Sequence, residues 1–105
     1  MRLLNFIVNG QHISKDPNCD FSKIVAGSSN YLKAHFTFSP EWHDCKKAAS
    51  FWRGGKEHAV LLKNDMCDIP PEALTGLTFG VSVTMQSGNL KVPTDRVIVS
   101  QEVYR

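Results

Sequence analysis

Residues 77–85, Leu-Thr-Phe-Gly-Val-Ser-Val-Thr-Met, decide the fold class of this chain. Large apolar side chains stand at every second position from Phe79 to Met85, and small or polar ones alternate with them. This period of two predicts a β-strand with one buried face, because successive side chains of a strand point to opposite faces of its sheet. Residues 31–38, which end in Phe-Thr-Phe, repeat the pattern. A layered β-structure is therefore indicated.

Turn signals divide the rest of the chain into further short strands. Asn9-Gly10 is a strong hairpin signal, and Gly54-Gly55 indicates a second tight turn. The segment Pro70–Leu74 suits a single helical turn with proline at its start. The other predicted strands are residues 2–8, 11–14, 47–53, 57–63, 90–92 and 96–104, the last with Val97, Val99 and Val103 inward.

Strands recur about every 10–13 residues and helical periodicity is nearly absent, a spacing that predicts an all-β fold. We expect one domain over residues 1–105, a small antiparallel β-sandwich of immunoglobulin-like type. A small barrel is the alternative closure. We expect Phe21, Ile24 and Val25 to anchor the polar loop 15–29. Trp42 is predicted to plug one end of the core, with its indole N–H on a backbone carbonyl.

Composition excludes several classes of function. The 105 residues carry a formal net charge of +2, too mild to indicate a nucleic-acid partner. No apolar stretch approaches the ~18 residues that a membrane span needs. The three cysteines are an odd number with no paired-ligand spacing, which favours free thiols in a reducing compartment over a disulfide framework or a metal site.

The sequence also lacks the motifs of common active sites. It has neither a nucleophile elbow nor a glycine-rich phosphate loop, so we expect no catalytic residues and no cofactor. An enzyme, if there were one, would be built on His43, Cys45 or Cys67. For partner contact we select Trp52, Arg53 and Lys56, because an aromatic ring and two cations stand together at a predicted hairpin tip.

A connected string of motifs in residues 34–99 resembles a known module. Its parts are a strand ending in Phe-x-Phe, a Glu-Trp turn, an Ala-x-Phe strand, an Ile-Pro-x-Glu-x-Leu turn, a Gly-Val-x-Val strand and a Pro-Thr pair. Together they are similar to a small β-sandwich module of virion proteins from tailed phages and prophages of Gram-positive bacteria. That module stands at the N-terminus of baseplate upper proteins and in related tail- or head-fibre proteins.

The resemblance implies a non-enzymatic structural protein of a phage virion, assembled in the host cytoplasm. It would act as a capsid decoration, fibre-base or baseplate attachment module that docks onto capsid or tail proteins. A homotrimer is one form expected of it, because weak contacts gain avidity on a symmetric shell. The alternative is a small phage-encoded inhibitor that binds a host antiviral defence enzyme, in the manner of an anti-CRISPR protein. The short chain favours that alternative.

Overall fold

The structure is a computed structural model that describes residues 1–102. Within them the chain forms nine strands and two 3₁₀ turns. The strands are β1 (Arg2–Asn9), β2 (His12–Lys15), β3 (Leu32–Phe38), β4 (Lys46–Arg53), β5 (Lys56–Leu61), β6 (Met66–Asp68), β7 (Thr78–Ser87), β8 (Leu90–Pro93) and β9 (Val97–Ser100), and the 3₁₀ turns are Pro40–Trp42 and Pro71–Leu74.

The strands form two sheets packed as a sandwich, so the all-β sandwich prediction is confirmed. One sheet has four strands in the order β2-β1-β3-β6, and the other has five in the order β5-β4-β7-β8, with β9 also paired to β7. One pairing departs from the antiparallel expectation, because β1 and β3 run parallel from Arg2–Leu32 to Val8–Phe38. The long segment between β2 and β3 makes this feasible, since parallel neighbours need a crossover of a dozen or more residues.

Alternation along the strands builds the core between the sheets. Phe79, Val81 and Val83 of β7 are fully or almost fully buried, as the period of two predicts. They face the aromatic side chains of the four-stranded sheet, where the Phe6 and Phe36 rings stack with centroids 5.4 Å apart. Each such side chain contributes about 1.5–3 kcal/mol when it leaves water.

Trp42 lies where the sequence places it. Its side chain is completely buried, and its indole N–H donates to the Gly10 carbonyl over 2.9 Å. Its ring centroid is 5.2 Å from that of Phe38. Pro40 begins the 3₁₀ turn that ends at Trp42 and so delivers the indole to the end of the sandwich.

The loop between β2 and β3 is anchored by two of the three predicted residues. Ile24 is 2% exposed, and the Phe21 ring packs edge-on against Phe6 at 5.4 Å. The prediction for Val25 is wrong, because its side chain is 40% exposed. Val25 instead stands opposite Glu102 in an isolated parallel bridge, in which the Ala26 N–H donates to the Glu102 carbonyl and the Ile24 carbonyl accepts from the Glu102 N–H.

Two other differences concern short segments. The sequence did not predict β6, because three residues are too few to show an alternation of apolar and polar side chains. Pairing with β3, in which Ala34 lies opposite Cys67, fixes the position of this strand. The last described strand ends at Ser100, short of the predicted 96–104. Val99 is buried as expected, whereas the predicted inward position of Val103 lies outside the described residues.

A polar clasp joins the sheets along one side. The Asp95 carboxylate accepts from the Ile13 backbone N–H at 2.9 Å and lies 2.7 Å from His12 Nδ1. The Asp95 N–H donates to the Gln11 carbonyl, and the Gln11 side chain donates to the Pro93 carbonyl. These bonds cover the outer edge of β2 with the segment between β8 and β9.

Candidate functional site

The outward surface of the five-stranded sheet, here called the outer face, is floored by small side chains. Ser50 of β4 lies between Ala59 of β5 and Ser82 of β7 in the strand register. Ala48 and Thr84 continue the row toward the other end of the sheet. A shallow open depression of about 330 Å³ lies over this part of the sheet. Because no large side chain stands up from its floor, a partner can approach the backbone closely.

Trp52 lies on this face and is held there by three neighbours. Its indole N–H donates to Ser82 Oγ over 3.0 Å, and the Arg96 guanidinium carbon sits 3.6 Å from the ring centroid. A cation over an indole face is attracted by the ring quadrupole. Trp52 pairs with Gly80, where an added Cβ would lie 3.4 Å from Trp52 Cβ. Gly80 thus allows Trp52 to lie close to the backbone of β7, and the indole is half-buried rather than projecting into water.

The three residues selected for partner contact do not share one surface. Arg53 and Lys56 face each other across the hairpin, and both are exposed. Arg53 is one position out of phase with Trp52 along β4, so it is turned away from the outer face. Its Nε is near Gly76, 3.4 Å from where a Cβ on that glycine would be. Their role in partner contact stays a prediction.

The charges of the outer face are mostly positive. Lys46 and Lys91 flank the depression, and Arg96 lies beyond it over Trp52. Among the outward positions of β4, β5, β7, β8 and β9, the one carboxylate is Glu57, and it accepts a hydrogen bond from the Ser50 hydroxyl. The net charge of these positions is therefore positive, and clustered charge of one sign favours partners of the opposite sign.

Exposed apolar side chains complete the surface. Leu61 of β5 is 76% exposed beside the depression, and Ile98 of β9 is 52% exposed near Trp52. Fully burying a leucine or isoleucine is worth about 1.5–3 kcal/mol, so both side chains can add affinity to a docked complex.

The sequence analysis did not select Lys46, Leu61 or Lys91 as contact residues. The small outward residues of β4 and β7 were a usable signal, since such a row makes a flat sheet face.

The thiols and histidine considered for catalysis are not arranged as a reaction centre. Burial, with the neighbouring Asp68 charge, raises the pKa of the Cys67 thiol to about 12, and a protonated thiol is a poor nucleophile. Cys45 is half-buried and His43 exposed, and within residues 1–102 no hydrogen bond joins them.

The described part of the chain holds no group of three or more His, Cys, Asp or Glu side chains placed to bind a metal ion. None of its helical segments is long and apolar enough to cross a membrane.

No protein-family model matches the sequence, and no curated protein matches it.

Proposed function

We propose that this chain is a non-catalytic docking module of a phage virion, and that it binds an acidic surface of a capsid or tail protein through the outer face. The observation that carries the docking surface is its combination of a flat small-residue floor, a cationic border and exposed Leu61. The motif string in residues 34–99 supports the virion setting.

The geometry favours a protein partner over a small molecule. The depression is shallow and open, whereas pockets for small ligands bury most of the ligand surface in a concave site. Lys46 and Lys91 lie on strands β4 and β8, on opposite sides of β7. A rigid sheet holds them apart at a fixed spacing, so a folded partner with carboxylates at matching spacing gains specificity.

The test uses the phage or induced prophage that encodes the chain. Particles are purified and copies of the chain per particle are counted by quantitative mass spectrometry. The wild-type chain should be present in a fixed ratio to the major structural proteins. Its absence from purified particles would contradict the virion role and leave the inhibitor alternative.

A charge-reversed pair then tests the surface. Lys46→Glu with Lys91→Glu should lower incorporation at least tenfold, because cations that face acidic groups are replaced by like charges. The matched control is Lys23→Glu with Lys63→Glu, which changes the total charge equally at two exposed lysines that lie outside the strands of the outer face. Incorporation of the control should stay within twofold of wild type. Equal loss in both variants would show that total charge, rather than the outer face, matters.

A further inference from the structure

β5 is an edge strand whose outward backbone groups are left open. The Leu62 N–H donates to the Lys47 carbonyl over 3.0 Å, which sets the hydrogen-bonding phase of the β4–β5 ladder. Because bonded and non-bonded pairs alternate in an antiparallel ladder, Glu57, Ala59 and Leu61 turn their N–H and C=O groups away from β4. The structure of residues 1–102 gives these outward amides no backbone partner.

β5 is the longest edge strand of the described chain, with six residues, and the other edges are shorter or partly covered. β9 has four residues and is followed by the backbone bridge between Val25 and Glu102. The Asp95 clasp covers β2, and β8 ends in Pro93, which has no N–H to offer. β6 is only three residues long. Proteins usually blunt an open edge with proline, a bulge, charges or a covering loop. The two charged residues of β5, Lys56 and Glu57, stand at its hairpin end. From His58 to Leu61 the strand has none of these devices, and it presents the most exposed leucine of the described chain.

We propose that two copies of this chain pair antiparallel along β5, so that the two five-stranded sheets form one continuous sheet. Ala59 then lies opposite the partner's Ala59, and Glu57 opposite the partner's Leu61. Each of these pairs joins two outward backbone positions, so every open N–H and C=O of Glu57, Ala59 and Leu61 finds a partner.

Side-chain phase and charge favour this register. Glu57, Ala59 and Leu61 all point to the outer face, so the pairing matches outward residues with outward residues. Small alanines meet at the two-fold axis, and no like charges stand opposite each other. A register centred on His58 would set that residue against its own copy and leave Leu61 without a partner on the edge.

The charges of the outer face do not oppose the dimer. The two copies of β4, which carry Lys46, would lie three strand spacings apart, about 14 Å. That distance exceeds the Debye length of about 8–10 Å at ordinary salt. The dimer would place two outer faces side by side on one sheet, which doubles the docking surface available to a symmetric partner. The pairing does not depend on what that partner is.

The first experiment measures mass and amide exchange of the purified wild-type chain without any partner. Light scattering from micromolar to millimolar concentration should show a transition from the 11.7 kDa monomer to a dimer. Over the same range the amide hydrogens of Glu57, Ala59 and Leu61 should become protected, whereas those of His58 and Val60 stay protected throughout. A chain that remains a monomer at millimolar concentration, or that forms a trimer, would overturn the proposal.

Two variants at the two-fold axis test the register. Ala59→Pro removes an outward N–H without breaking a bond to β4, and it should raise the dimer dissociation constant at least tenfold. Ser100→Pro is the matched control, because that amide also points outward, on the opposite edge of the same sheet, and the dimer dissociation constant should stay within twofold of wild type. Ala59→Arg places two like charges face to face and should weaken the dimer without a backbone change. A dimer unaffected by both Ala59 variants would refute this edge as the interface.

Discussion

Replacing Trp42 by alanine tests the packing of the sandwich most directly. The side chain is completely buried, and it touches Phe38 while bonding to the Gly10 carbonyl. Truncating a buried tryptophan costs about 3–5 kcal/mol, because apolar contacts are lost and a cavity remains. For 105 residues, an unfolding entropy of about 2.1 cal/mol/K per residue converts this loss into a fall in Tm of about 14–23 °C.

A second substitution separates the hydrogen bond from the packing. Trp42→Phe keeps most of the ring volume but removes the indole N–H that Gly10 accepts. An unsatisfied buried acceptor costs about 1–3 kcal/mol. The phenylalanine variant should therefore unfold between the wild type and Trp42→Ala.

Thermal denaturation measures the fall in Tm, and urea denaturation measures the free energy of unfolding. The fluorescence of the remaining Trp52 and far-UV circular dichroism are the probes. Leu61→Ala is the control, since a side chain 76% exposed should change the free energy of unfolding by less than about 0.5 kcal/mol. If the midpoint of Trp42→Ala equals that of wild type at the same m-value, the indole does not close the core and the reasoning fails.

Two further predictions concern titratable groups. Hydrogen bonds from the Ile13 N–H and from His12 lower the pKa of Asp95 below its ordinary 3.8, so the clasp should stabilise the fold above that pH and lose its contribution as pH falls through the lowered value. Urea midpoints of wild type and Asp95→Asn should consequently differ at pH 7 and converge in acid; a constant gap would contradict this. With a pKa of about 12, Cys67 should be the slowest thiol to react with a disulfide reagent at pH 8 in the folded chain, and peptide mapping should show its rate rising in urea. Fast labelling of folded Cys67 would refute its burial.

Where a structural feature depends on neighbouring residues, the sequence predicted it well. The alternation in residues 77–85 correctly assigned both faces of β7, because side-chain direction in a strand follows from position alone. Asn9-Gly10 located the first hairpin, and Gly10 has the positive φ of 58° that such a turn needs. The burial of Trp42 followed from its place just after an apolar strand and a Ser-Pro turn.

The candidate site was only partly predictable. Trp52 was selected as a contact residue, but its neighbours Arg53 and Lys56 were selected by proximity in the chain, and strand alternation turns Arg53 to another side. The cation that actually covers Trp52 is Arg96, 44 positions further along. No local pattern connects these two residues, since β7 and β9 bring them together.

By itself the sequence determined that this is an all-β chain, which residues of β3 and β7 face the core, and where the first hairpins turn. Side-chain direction in a strand repeats every two residues, and a turn spans four residues. Local sterics and hydrophobicity are therefore enough to specify both. The tertiary structure alone decided that β1 runs parallel to β3, that β5 is left as an open edge, and that small residues from three strands make one flat cationic face. Those features depend on which distant strands pair, and that choice minimises exposed apolar surface over the whole chain rather than within any one segment.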